Sequence, residues 1–245
     1  MKKEIKILLV IPAYNEEENI LKTYQKIVDY NKKNETNYDV IVINDGSKDN
    51  TKQILEENSI PHINLVHNLG IGGAVQTGYK YALENNYDIA IQYDGDGQHD
   101  VRYIEKLIKP IIDKKADLVI GSRFLDKNSS DFKSTWIRRI GINFISFLIK
   151  LCTGKKVTDT TSGFRAANKD VISCFASKYP IDSPEPASFV AITRKGYKTT
   201  EVSVSMNARE GGTSSITTSF WKPVYYMVNV SLSIIITSLK DRRDI

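Results

Sequence analysis

Apolar and polar residues fall in blocks along the first half of the chain. Ile5 to Ile11 reads as a strand buried on both faces, and Pro12-Ala13-Tyr14-Asn15 breaks it. Glu16 to Tyr30 is expected to be a helix with acidic residues in its first turn, which suits the helix dipole. Val40 to Ile43 is a second strand, ending at Asn44-Asp45-Gly46-Ser47, and a helix follows from Asp49. Ile63 to Val66 is a short third strand. Gly70 to Leu83 is helical after the glycine-rich entry Asn68-Leu69-Gly70-Ile71-Gly72-Gly73. Ile89 to Tyr93 is a fourth strand, closed by Asp94 and Asp96, and Leu118 to Gly121 a fifth, ending at Ser122-Arg123. Strands alternating with helices predict an α/β fold with a mostly parallel sheet and helices on both faces. Each polar cluster falls at a strand's C-terminal end, so all converge on the edge where open α/β sheets bind ligands.

Beyond residue 130 the pattern changes. Trp136 to Leu151 is apolar over one broad face, with Ile140, Phe144, Phe147 and Leu148 on it and Arg138, Arg139 and Lys150 beside it. Ordinary core, a homodimer face and an interfacial membrane helix all fit that pattern. The tail from Trp221 is expected to be an amphipathic helix. Its apolar stretch, Val224 to Leu239, falls short of the ~20 residues needed to span a bilayer. Lying on a surface is its natural use, with Lys240, Arg242 and Arg243 meeting anionic headgroups. The expected organisation is one domain over residues 1–215 and an appended helix over 216–245.

With 245 residues, 41% of them apolar and 26% charged, the chain can bury a sizeable core. A net charge of +5 does not by itself call for nucleic acid, but it is compatible with an anionic substrate or membrane face. Cys152 and Cys174 lack metal or redox spacing and read as reduced thiols. The first apolar stretch is too short for a signal peptide. The expected location is therefore cytoplasmic, peripheral at the inner face of the cell membrane.

Asp94 and Asp96 carry the sharpest chemistry. Residues two apart on a strand point to one side, so both carboxylates are expected to face one spot beyond the strand's end. They repel unless a cation lies between them. A hard ion such as Mg²⁺ or Mn²⁺ suits oxygen ligands and takes the rest of its shell from water and substrate phosphates. A glycosidase would need its carboxyl groups at least ~5 Å apart, flanking the sugar, which fits this spacing poorly. Asp45, after its own strand, is read as functional rather than as a simple turn. Gly70, Gly72 and Gly73 lack full dinucleotide-fingerprint spacing and are read as a turn bringing a helix close to a ligand. His99 is read as loop packing beside the metal rather than as a ligand.

Several motifs stand in order: Ile11-Pro12-Ala13-Tyr14-Asn15-Glu16, Asn44 to Asp49, Asn68 to Gly73, Asp94-Gly95-Asp96-Gly97-Gln98-His99, Gly121-Ser122-Arg123 and Ser162-Gly163-Phe164-Arg165. Together they resemble family 2 glycosyltransferases of the GT-A fold, in the branch of dolichyl-phosphate mannose synthases and polyprenyl-phosphate sugar transferases, over about residues 5–215. The resemblance implies a nucleotide-sugar donor (UDP- or GDP-linked), a lipid-linked acceptor and inversion in one displacement, in the synthesis of cell-surface polysaccharide or glycoconjugate. It implies that Pro12, Ala13, Tyr14, Glu16 and Gly73 line the nucleotide pocket and that Asp45 binds the base or ribose edge. Asp94 and Asp96 would hold the metal, with Gln98 as a further ligand. Arg123, Arg139, Arg165 and Arg209 would face phosphates. Glu185 stands near the family's acidic base, and either that role or an orienting one is open to it. Ser215 departs from the lysine usual in mannose synthases. A silent sugar-nucleotide-binding scaffold is a competing reading. So is a sugar nucleotidyltransferase, although the acidic segment after the first strand differs from the basic glycine-rich loop of those enzymes.

Overall fold

The computed structural model describes residues 5–126, 136–181, 183–206 and 221–240. Seven strands form one sheet: β1 (Ile7–Ala13), β2 (Tyr38–Asn44), β3 (His62–Asn64), β4 (Ile89–Gln92), β5 (Leu118–Ser122), β6 (Arg165–Asn168) and β7 (Thr199–Ser203). Their spatial order is β3-β2-β1-β4-β6-β5-β7. All pair in parallel except β6, which runs antiparallel between β4 and β5.

The apolar run of β1 divides between two cores. Ile7, Leu9, Ile11 and Ala13 face one side of the sheet, packed on Ile20 and Ile27 of α1 (Ile20–Asn34), Leu55 of α2 (Thr51–Glu57) and Leu107 of α4 (Ile104–Ile112). Leu8 and Val10 face the other, against Val75 and Tyr79 of α3 (Gly70–Glu84) and Phe175 of α6 (Lys169–Ser177). A Cβ on Gly78 would stand 2.0 Å from Val10 Cγ1, so glycine there lets α3 lie close on the sheet. A third core joins Ile120 of β5 to α5 (Trp136–Thr153), α7 (Pro184–Arg194) and α8 (Trp221–Leu239).

Two expectations are corrected. The first strand does not break at Pro12 but continues to Ala13, paired with Asn44. Val10 O accepts from Tyr93, so Pro12, two residues on, turns its missing N–H to the side where β4 has ended. The first helix begins at Ile20 rather than Glu16, because Glu16 to Asn19 form a turn held from outside by the segment after β2. No helix among the described residues is long and apolar enough to cross a membrane.

Candidate active site

The carboxyl ends of β1, β2 and β4 open into a cleft of about 820 Å³. Its wall brings together Pro12, Ala13, Tyr14, Glu16, Asp45, Asp94 and Asp96, residues from three separate stretches of chain. The segments after β1 and β2 are latched to each other. Asn15 N donates to Ser47 Oγ (3.0 Å) and Lys48 N to Asn15 Oδ1 (2.8 Å). Glu16 N donates to Thr51 Oγ1 (2.9 Å), Glu17 N to Asp49 Oδ2 (3.1 Å) and Asn50 N to Glu17 Oε2 (3.0 Å). Asn15 takes a left-handed conformation (φ 55°) to make this turn. Such a rim is shaped before any ligand arrives, which lowers the ordering cost of binding.

Asp45 is buried, and its Oδ1 accepts from Leu69 N at 2.7 Å, tying β2 to the start of α3. Burial raises its pKa, against the Leu69 and Gly70 amides, which lower it. A carboxylate held there at a cost in desolvation is a candidate ligand-binding group.

Asp94 and Asp96 do not sit on a strand, as the spacing argument assumed. β4 ends at Gln92, and the pair lies on the following turn, yet both reach the cleft. Thr23 Oγ1 of α1 donates to Gly95 O (3.1 Å), which steadies the turn from below. Asp94, its side chain 36% exposed, accepts from His99 Nε2 at 3.0 Å through Oδ2. His99 is buried, stacked on Phe164 at 4.6 Å, and its carbonyl accepts from Tyr93 OH at 2.6 Å. Surrounding protein pushes the Asp94 carboxyl upward, but His99, the Gln92 amide and Arg123 outweigh that and hold it below the usual range. A Cβ on Gly163 would stand 2.9 Å from both Asp94 oxygens and 2.8 Å from Gln92 Nε2, so this position keeps the carboxylate's surroundings open. Gln98 does not line the cleft; its backbone N–H donates to Asp96 Oδ1 (3.1 Å) and so props that carboxylate.

Two carboxylates at a strand end, one ionised and fixed by an imidazole, fit a hard divalent ion. Among the described residues no group of three or more His, Cys, Asp or Glu is arranged to hold a metal. Asp94 and Asp96 are the two carboxylates at the cleft that could hold such an ion.

The remaining expected residues divide. Gly73 does not reach the cleft: its Cβ would stand 2.4 Å from Leu69 Cβ, so it serves the tight start of α3. Arg123 does not turn to the cleft either. It forks onto Asp159, with Nε to Oδ2 and Nη2 to Oδ1 both at 2.7 Å, and reaches Thr161 Oγ1 at 3.0 Å. Glu201 of β7 in turn accepts from Thr158 N (2.8 Å) and Asp159 N (3.0 Å). Arg165 is also buried. Its Nε donates to Ser162 O (2.8 Å) and its Nη1 to Glu185 O (2.6 Å) and Ser188 Oγ (3.0 Å), bracing β6 against α7. Both guanidiniums are engaged by protein oxygens because they lie beneath the sheet edge, not on it. Arg139 is exposed, with its guanidinium 5.8 Å from the Phe124 ring, which Arg123 also overlies at 5.3 Å. Arg209 and Ser215 lie outside the described residues.

Glu185 comes close to the acidic pair through a residue that the pattern did not single out. The Gln92 amide acts on the carboxylates of both Asp94 and Glu185, favouring the ionised form of each. Burial raises the pKa of Glu185, against the pull of Arg165. A lone glutamine inside the apolar run Ile89 to Tyr93 was the available signal, since a polar side chain in a buried strand needs a partner. Asp159 and Glu201 carried no such mark.

The comparisons with known proteins meet this geometry. A family model described as "Glycosyl transferase family 2" matches residues 8–175. The UDP-N-acetylglucosamine–dolichyl-phosphate N-acetylglucosaminyltransferase of Methanococcus voltae is 35% identical over 213 residues, 78% of this chain and 81% of that one. The undecaprenyl-phosphate mannosyltransferase of Micrococcus luteus is 28% identical over 225 residues, 86% of this chain and 88% of that one. Among solved structures, glucosyl-3-phosphoglycerate synthase from Mycobacterium tuberculosis with uridine diphosphate superposes with a TM-score of 0.68 at 17% identity, covering 97% of this chain and 82% of that one. That last likeness is one of fold, the GT-A arrangement.

Proposed function

The chain belongs to glycosyl transferase family 2, and from that premise we propose that it moves a sugar from a nucleoside-diphosphate donor to a polyprenyl phosphate, in a metal-dependent displacement that inverts the anomeric carbon. The observation that carries this reading is the latched cleft holding Asp45, Asp94 and Asp96 on one wall. Its size suits a nucleotide-sugar. The named relatives that use dolichyl and undecaprenyl phosphate support the acceptor class. The donor named for the Methanococcus relative, and the uridine diphosphate of the solved neighbour, favour a UDP-sugar.

In this reading Tyr14, Glu16 and Asp45 receive the nucleoside, and Asp94 and Asp96 would hold Mg²⁺ or Mn²⁺. The ion would supply Lewis-acid stabilisation of the departing diphosphate. His99 and Gln92 fix the Asp94 carboxylate, and Gln98 N–H fixes that of Asp96. A phosphate monoester has a second pKa of about 6 and attacks largely ionised, so it needs cations more than a base. Exposed Arg139 is suited to that task, and Arg209, outside the described residues, is assigned to it by the family resemblance. Arg123 and Arg165 act by positioning. Glu185 orients the acceptor side of the site through Gln92. The work takes place at the cytoplasmic face of a membrane, with the chain as a peripheral protein.

The test is transfer from a panel of UDP- and GDP-sugars to a polyprenyl phosphate, with Mn²⁺, Mg²⁺ or chelator. Turnover should require the ion, collapse in Asp96→Ala and give a product of inverted anomeric configuration. Undiminished transfer in chelator, or a retained configuration, overturns the reading.

A further inference from the structure

Residues 158–163 lead from α5 to β6 as a strap along the carboxyl ends of β5 and β4. Asp159, Thr160 and Ser162 are buried in it. Ser162 Oγ donates to Gly121 O (2.6 Å) near the end of β5. The far end of the strap meets Asp94 from two sides. Gly163 passes so near that a Cβ there would stand 2.9 Å from both carboxylate oxygens. The ring of Phe164, the next residue, stacks at 4.6 Å on His99, whose Nε2 holds Asp94 Oδ2. A close-packed interior passes a displacement on rather than absorbing it, so the position of the strap governs the position of the Asp94 carboxylate.

The near end of the strap is held by Glu201 of β7. Its Oε1 accepts from Thr158 N (2.9 Å), Thr158 Oγ1 (2.9 Å) and Asp159 N (3.0 Å), and its Oε2 from Thr158 N (2.8 Å). With the Thr158 hydroxyl proton on Glu201, the Ser122 hydroxyl 2.7 Å away donates to Thr158 Oγ1, and Phe124 N donates to Ser122 Oγ (3.3 Å). A chain of donors thus runs from the end of β5 onto one carboxylate, each bond polarising the next. Asp159, placed in this way, takes the fork of Arg123, and the Arg123 charge helps to keep Asp94 ionised. The strand β7 is the edge of the sheet, three places from β4, and Glu201 does not line the cleft. Past its end the same stretch of chain pairs Met206 with His99. β7 therefore supports the surroundings of Asp94 by two routes, through the Glu201 side chain and through the Met206 backbone.

We propose that Glu201 is a positioning residue for the metal-bound diphosphate: from the edge of the sheet it sets the strap whose far end fixes Asp94. The inference rests on the reading above for the role of Asp94, and it gives Glu201 no contact with substrate.

The test compares wild type, Glu201→Gln and Glu201→Ala by calorimetric titration with UDP, in Mn²⁺ and in chelator, and by thermal unfolding. Glutamine keeps one acceptor oxygen and turns an amide N–H toward Thr158 N, whereas alanine keeps no acceptor. UDP in chelator reports on the nucleoside end of the cleft, latched by the segments after β1 and β2, and should bind all three proteins equally. The gain in UDP affinity that Mn²⁺ brings should shrink about 10–100-fold in the alanine variant, as it does when other groups that orient a metal's ligands are removed. It should shrink less in the glutamine variant, and where the alanine variant fails to fold the glutamine variant decides by the same measurement. Variants that keep the wild-type Mn²⁺ gain overturn the inference, however far their unfolding midpoints fall. An equal loss of UDP affinity with and without Mn²⁺ also overturns it, because that marks a general loosening of the fold. Wild type in which Mn²⁺ adds nothing to UDP affinity sinks the reading of Asp94 and this inference with it, so the two failures are told apart by which protein shows them.

Discussion

Asp159→Asn should destabilise this protein more than any other single-atom-scale change at the site. Asp159 has no exposed side-chain surface, and its Arg123 partner is 8% exposed. Two contacts of 2.7 Å, and a third from Arg123 N at 3.1 Å, satisfy the carboxylate. Asparagine removes the charge and one acceptor, so the Arg123 guanidinium loses its two-point ionic partner under the sheet edge. Breaking one side of a buried pair costs about 3–5 kcal/mol. That is a large part of the roughly 5–15 kcal/mol that stabilises a domain. At about 2–4 °C per kcal/mol for this length, the unfolding midpoint should fall by about 6–20 °C. Removing both charges with Arg123→Met/Asp159→Leu should recover most of the loss, because apolar replacements of buried pairs are often neutral or stabilising. The assay is thermal unfolding of wild type, both single variants and the double, with transfer rates on the same samples. If the pair serves to hold Thr158 to Thr161 against the end of β5, the double variant regains its midpoint without regaining its rate. A single variant within ~2 °C of wild type would refute the buried-charge account. So would a double variant as unstable as the single one.

Gly163→Ala should place a methyl group against Asp94 and Gln92, costing about 1–3 kcal/mol of stability and weakening apparent Mn²⁺ affinity about 10–100-fold; metal titration of turnover checks it, and unchanged affinity counts against the cradle. Glu185→Gln tests both the acceptor and the electrostatics. With a phosphate acceptor the rate should fall less than tenfold, whereas loss of a true base would cost about 10²–10⁴-fold. The folded state holds the Glu185 proton more tightly than the unfolded chain does, since burial outweighs Arg165. Its contribution to stability is therefore lost as pH rises from the ordinary carboxylate range through the raised value. At neutral pH the Gln variant should unfold at an equal or higher temperature than wild type, and the difference should vanish in acid below that range; a clearly lower midpoint at pH 7 contradicts this sign. Ser47→Ala removes the acceptor of Asn15 N–H and should cost about 1 kcal/mol, with a raised KM for donor and little change in kcat.

What could be read from the chain follows from where the determining forces act. The strands β1, β2 and β4 and the helix α3 are set by continuous apolar runs and a 3.6-residue period, both visible locally. Pro12 was misread because its tolerance depends on β4 stopping two residues short, a fact about another strand. The start of α1 was misread because Asp49 and Thr51 hold Glu16 and Glu17 out of the helix. β6, Arg165-Ala166-Ala167-Asn168, has no β-branched residue and becomes a strand through its neighbours on both sides. The family likeness was legible because its motifs lie at strand ends. The orientation of an arginine was not. Arg123 and Arg165 look the same in sequence as phosphate-binding arginines, and only Asp159, Ser162 and the Glu185 carbonyl reveal which protein oxygens hold them instead.

In the reading proposed above, the donor wall and the acceptor side of the site are built on different cores, and this bears on how a shared donor chemistry can serve different acceptors. The donor wall rests on β1, β2, α1 and α3, clamped by the Asn15–Ser47 and Glu16–Thr51 latches within cores that run through the centre of the sheet. The acceptor side rests on α5, α7 and α8, which share a separate core touching the sheet chiefly through Ile120. Among the described residues, polar links between the halves include the pull of Gln92 on Glu185 and the hydrogen bonds of Arg165 to the Glu185 carbonyl and Ser188. Substitutions within the third core can therefore move α7 and α8 with little strain on the cleft, since packing disturbances fade where contacts thin out.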